Sequence, residues 1–136
     1  MTPHVYALRI YYEDTDFSGV VYHANYLKFM ERAREHVLGV DELVRMYDET
    51  GVGFVVYKAE MTFREGAVFG DQLEVRTSIS SESAYRLVFR QDVYRVPDDT
   101  LLVEGLIHLV CVDGERKLVK LPETVVAGLQ AWRAAP

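Results

Sequence analysis

The segment Tyr11–Arg34, YYEDTDFSGVVYHANYLKFMERAR, places the carboxylates of Glu13, Asp14 and Asp16, a glycine (Gly19) and a histidine (His23) between a strand-like run and a helical one. A helix start presents N–H groups without intrahelical acceptors at the positive end of the helix dipole. Gly19 can turn the backbone sharply and let it approach a ligand closely. A carbonyl oxygen placed at that helix start would meet ready-made donors, as in an oxyanion hole. A carboxylate a few residues upstream could attack the carbonyl carbon or activate a water. A thioester fits this set better than an amide, because a thiolate departs without a strong general acid. No Gly-x-Ser-x-Gly occurs, and Ser18 has no orienting triad nearby.

Two other readings of the same residues fare worse. Asp14-Thr15-Asp16-Phe17-Ser18-Gly19 opens like a calcium-binding EF-hand loop. Asn25, however, stands where that loop needs a bidentate glutamate, and the preceding segment is strand-like. Asp-x-Asp-x-Ser after a strand also suits an aspartyl-phosphate phosphatase, whose parallel α/β sheet does not match the strand run found here.

The elements around the segment follow from periodicity. His4–Tyr12 reads as a strand and Glu13–Val21 as a loop. Tyr22, Tyr26, Phe29, Met30, Ala33 and Val37 fall at helical spacing, with Gly39 as the stop. Asp41 reads as the N-cap of a second helix that ends near Gly51. Phe54–Phe63, Gln72–Ile79, Tyr85–Val96 and Leu101–Val112 read as consecutive antiparallel strands, followed by a short one over Leu118–Leu121. Pro122 suits the first turn of a closing helix whose apolar stripe is Val125, Leu129 and Trp132. One long amphipathic helix against about five strands is the layout of an α+β hotdog fold, an antiparallel sheet wrapped around the helix. A sheet so sparsely covered is expected to find a partner, so at least a dimer is predicted.

The chain of 136 residues, 49% hydrophobic and 26% charged, suits one globular domain over 1–136. No membrane span and no signal peptide are expected, and the single cysteine, Cys111, suits a reducing cytoplasm. Cys111 reads as a small buried hydrophobe, and His108 as structural or interfacial. Tyr57, Tyr85 and Tyr94 could line a pocket, though half-buried sheet faces take tyrosine routinely. A net charge of −6 argues against nucleic-acid binding and means that a polyanionic substrate would need a local basic patch.

Tyr12, Asp14, Thr15, Asp16, Gly19, Val20, Val21, Tyr22, His23 and Tyr26 spell a pattern that closely resembles the signature of the YbgC-type branch of the 4-hydroxybenzoyl-CoA thioesterase family. Glu31-Arg32-Ala33-Arg34, Phe54-Val55-Val56, Leu87-Val88-Phe89 and Val110-Cys111-Val112-Asp113 extend the resemblance over nearly the whole chain. It implies hydrolysis of an acyl-CoA thioester, without cofactor or metal. Asp16 would be the nucleophile or general base, and the His23 backbone N–H the donor to the thioester oxygen. Tyr12, Gly19 and the His23 side chain would position substrate or water. It also implies a homodimer or homotetramer with the site in a cleft between subunits, and an acyl carrier protein as a second candidate partner. Rival readings are a non-hydrolytic hotdog module that binds acyl chains or acyl carrier protein, and a hotdog dehydratase or hydratase. One departure stands out. Where the 4-hydroxybenzoyl-CoA enzyme has a basic cluster for nucleotide phosphates, Glu82-Ser83-Ala84-Tyr85 brings no cation before Arg86.

Overall fold

The computed structural model describes residues 2–132. Its elements run β1 (His4–Arg9), α1 (Asn25–Leu38), α2 (Val40–Thr50), β2 (Gly53–Phe63), β3 (Gln72–Ser81), β4 (Arg86–Val96), β5 (Thr100–Val112), β6 (Leu118–Val119) and α3 (Glu123–Leu129). Single 3-10 turns cover Tyr12–Asp14 and Gln130–Trp132. The strands form one antiparallel sheet in the order β1-β3-β4-β5-β2, with β6 on the end of β5. This is the hotdog architecture, with α1 as its filling.

Strand alternation sets which face of the sheet is buried. Leu73, Val75, Thr77 and Ile79 of β3 point inward, as do Leu87, Phe89, Gln91 and Val93 of β4 and Val103, Ile107, Leu109 and Cys111 of β5. Onto this face α1 lays Tyr26, Phe29, Met30 and Ala33, all at most 2% exposed and spaced as one helical stripe. Burying a large apolar side chain contributes about 1.5–3 kcal/mol, so packing rather than helix propensity holds α1 in place. Gly105 of β5 allows the close approach. A Cβ there would stand 2.8 Å from the Met30 methyl and 2.9 Å from the Gln91 carbonyl oxygen.

One charged side chain enters the core. Arg34 of α1, 7% exposed, donates from Nη1 to Gln91 Oε1 at 2.9 Å. Gln91 donates in turn to the Met30 carbonyl at 2.9 Å and to Thr77 Oγ1 at 3.1 Å. Burial pushes the Arg34 pKa down, while Glu31 and Glu35 act against that shift. Cys111 is fully buried and its thiol is pushed up to about 11 by desolvation. Among the described residues no helix is long and apolar enough to cross a membrane.

Several expected boundaries are corrected. The first strand stops at Arg9, because Tyr12–Asp14 coil into the 3-10 turn. The long helix starts at Asn25 rather than Tyr22, because residues 22–24 make the turn that leads into it. Asp41 is not an N-cap. Gly39, with φ of 92°, ends α1 and caps α2, and Asp41 lies in the first turn beside the positive helix end. Pro122 is the N-cap of α3 rather than a first-turn residue. The run of adjacent strands holds only for β3 to β5. β2 pairs with β5 and not with β3, and β1 takes the free side of β3.

Candidate active site

The acidic loop is built as a small hairpin. Thr15 and Val21 bridge as an antiparallel pair, and Asp16 donates its N–H to the Val20 carbonyl at 2.9 Å. Between them a tight turn closes with the Gly19 N–H on the Asp16 carbonyl at 3.0 Å. Gly19 has φ of 86°, the left-handed region that glycine enters without steric cost. Asp14 anchors the base of the loop. Its Oδ2 accepts the Tyr11 N–H at 2.8 Å, and its carbonyl accepts from the Tyr22 N–H and from the Asn25 side chain. Glu13 is exposed.

The connection between β2 and β3 holds the loop from the other side. Val21 donates to the Ala67 carbonyl at 2.9 Å, Val20 bridges to Val68, and the Ala67 N–H donates to the Tyr26 hydroxyl at 3.3 Å. Gly66 packs directly on Val20, since a Cβ there would lie 2.9 Å from its Cγ1. In the sequence this connection reads only as a separator of strands, and its two glycines, Gly66 and Gly70, are the sole hint of its role.

Asp16 is exposed, with one carboxylate oxygen engaged and one free. Oδ1 accepts the Ser18 N–H at 2.8 Å and the Ser18 hydroxyl at 2.6 Å. Oδ2 has no hydrogen bond among the described residues. The Ser18 hydroxyl, then the Ser18 N–H, hold the Asp16 pKa below its usual 3.8; desolvation works against them, and the nearby His23 imidazole and the Val20 backbone add lesser downward effects. Asp16 is therefore ionised throughout the neutral range. Ser18 is the residue that motif reasoning passed over. Its signal was the Asp-x-Ser spacing, at which a side chain and an N–H two residues on can both reach one carboxylate.

His23 follows Tyr22 immediately before α1. Its ring packs on Tyr22 at 4.6 Å and edge-on to Phe63 at 6.0 Å between centroids. The His23 and Ala24 N–H groups donate to nothing among the described residues, and the first turn of α1 holds no acidic side chain. Two free donors thus sit at the positive helix end, and the His23 side chain lies close enough to Asp16 to act on its carboxylate. That set can polarise a carbonyl and bring a nucleophile or base to it.

The structure brings Asp16, Ser18, Gly19 and His23 together. Tyr12 lies in the 3-10 turn that leads into the loop. It is 77% exposed, its ring meets Phe69 at 6.1 Å, and its carbonyl accepts the Thr15 hydroxyl. Exposed apolar rings surround the loop, with Phe17 at 109%, Phe69 at 59%, Phe63 at 48% and Tyr22 at 46% exposure. A concentration of uncovered aromatics of this kind marks a binding or association surface.

The sequence profile of the thioesterase-like superfamily matches residues 11–129. The chain is 40% identical to the acyl-CoA thioester hydrolase YbgC of Escherichia coli, over 88% of this chain and 90% of that protein. It is 35% identical to the acyl-CoA thioesterase YbgC of Haemophilus influenzae, over 90% of each. Its fold matches that of a 1,4-dihydroxy-2-naphthoyl-CoA thioesterase from Synechocystis with a TM-score of 0.86 at 27% identity, over 93% of this chain and 94% of that one.

Proposed function

Because this chain belongs to the thioesterase-like superfamily and to its YbgC-type branch, we propose that it hydrolyses acyl-CoA thioesters to a carboxylic acid and free coenzyme A, with Asp16 as the reacting carboxylate. The observation that carries the reading is that one loop-to-helix junction holds both an Asp16 carboxylate with Oδ2 free and the unpaired N–H groups of His23 and Ala24. The thioester oxygen sits on those N–H groups and gains negative charge as the carbonyl carbon is attacked. As nucleophile, Asp16 forms an acyl-aspartyl anhydride and expels the thiolate, and water then splits the anhydride. As base, it takes a proton from the water that attacks. The experiment is a thiol-trapping assay over a panel of acyl-CoA and acyl carrier protein thioesters. Absence of thiol release from every member would refute the hydrolase reading and favour a binding module.

Ionisation of Asp16 makes the reading testable by pH. The form that reacts is the carboxylate, and its pKa is lowered, so the acid limb of kcat/KM falls below pH 3.8 or is cut short by unfolding. Ser18→Ala removes the largest cause of the lowering. The limb then moves up toward the ordinary carboxylate range, with a fall in rate from looser positioning. An unmoved limb in Ser18→Ala would show that another group controls it.

The reaction also calls for a second copy of the chain. Oxyanion stabilisation works best where water is excluded, and in one chain Asp16 and Phe17 face solvent. β2 lies at the sheet edge with Val55, Val56 and Tyr57 each more than 40% exposed, a long bare edge that pairing would cover. Sedimentation is expected to give a dimer or tetramer at micromolar concentration. A stable monomer with full activity would contradict this. The free, inert Cys111 suits a cytoplasmic setting.

A further inference from the structure

Coenzyme A carries several phosphate charges, yet the chain has a net charge of −6. Many cations are also neutralised where they stand. Arg76 meets Glu74 and Asp99, Arg95 meets Asp98, Arg64 meets Glu104, and Arg45 meets Glu42 and Glu49. Arg86, the first cation after β3, lies over the Tyr57 ring at 5.6 Å.

Arg9, Lys28 and Arg32 are different. Among the described residues none of them has a carboxylate within ion-pair distance, and all three line one cleft of about 430 Å³ between β1 and α1. Arg9 donates Nε–H to Gln72 at 3.2 Å, which steadies the side chain. Lys28 and Arg32 stand one helical turn apart, a spacing at which like charges repel. Two carboxylates also line the cleft. Asp14 is tied to the Tyr11 N–H, and Glu13 is exposed. Asn25 lies at the loop end of the cleft and Arg32 lies about 10 Å further along α1, at 1.5 Å of rise per residue.

We propose that this cleft binds the phosphorylated nucleotide end of coenzyme A, with Arg9, Lys28 and Arg32 on its phosphates. The inference rests on the acyl-CoA reading above. Its volume is that of a small-molecule site, and charge-assisted bonds to phosphate are among the stronger polar contacts. A thioester at the helix start and phosphates further along α1 are then separated by the flexible arm that joins the two ends of coenzyme A.

The test uses the double variant Lys28→Gln/Arg32→Gln and two substrates, an acyl-CoA and the matching N-acetylcysteamine thioester, which lacks the nucleotide. The ratio of kcat/KM for acyl-CoA over the truncated thioester is expected to fall about 10-fold or more, mainly through KM. Calorimetry with free coenzyme A should show a similar loss of affinity and a weaker salt dependence. Arg45→Gln makes one of the same charge changes on α2, away from the cleft, and should leave coenzyme A affinity within about twofold. Equal losses on both substrates, or unchanged coenzyme A affinity in the double variant, would overturn the assignment. So would a loss confined to acyl carrier protein thioesters, which would mark a protein-docking surface. Calorimetry reads the cleft without turnover, so a failed hydrolase reading and a failed cleft assignment give different results.

Discussion

Replacing Gln91 with Leu is expected to cost the fold about 3 kcal/mol, although the new side chain is apolar and close in size. Gln91 is fully buried and is the hydrogen-bond acceptor of Arg34 among the described residues. Leu at that position leaves a buried guanidinium with no acceptor and Thr77 without its partner. Arginine does not escape by deprotonating, because a guanidinium keeps its proton in proteins. The sign of the coupling makes this specific. Arg34→Leu/Gln91→Leu removes both polar partners at once, so it should be less destabilising than Gln91→Leu alone. Denaturant unfolding of the two single variants and the double would measure that coupling. A Gln91→Leu cost below about 1 kcal/mol, or strictly additive costs, would show that Arg34 finds water in the folded chain.

What sequence reasoning could reach was whatever depends on local pattern. The stripe Tyr26, Phe29, Met30 and Ala33 marks the buried face of α1, and strand alternation picks out Val75, Phe89 and Ile107. The tight motif from Tyr12 to Tyr26 places Asp16 and His23 at one junction, and the fold keeps them there. Long-range pairing was not legible. A period of two says which face of β2 is apolar, but not that Phe63 pairs with Val103 of β5 rather than with a residue of β3. The 64–71 connection looked like a spacer because its function lies in backbone groups, such as the Ala67 carbonyl, that any sequence carries. The cation cleft was also hidden, because Arg9 stands far from Lys28 and Arg32 in sequence and meets them only after β1 docks beside α1.

Asp16→Asn carries the largest expected effect on activity. Asn keeps the size of the side chain and can still accept from Ser18, so the turn and the helix start should survive. It removes the negative charge and the nucleophilic oxygen. Turnover should fall roughly 10²-fold or more whether Asp16 attacks the carbonyl or activates water, while coenzyme A still binds. Asp14→Asn should cost much less, because its carbonyl contacts remain and only the bond to the Tyr11 N–H is weakened. His23→Ala keeps its backbone N–H and should retain part of the rate. Single turnover in ¹⁸O water would place label in Asp16 if an anhydride forms and water attacks on the enzyme side.

The most direct measurement follows free thiol and free carboxylic acid together, for the native protein and for Asp16→Asn, on one acyl-CoA that the native protein accepts. The two products should appear one-to-one with the native protein. Asp16→Asn should release both at about 1% of that rate or less, with coenzyme A affinity by calorimetry unchanged. Release by Asp16→Asn within a few-fold of native turnover would contradict the assignment of Asp16, as nucleophile and as base alike.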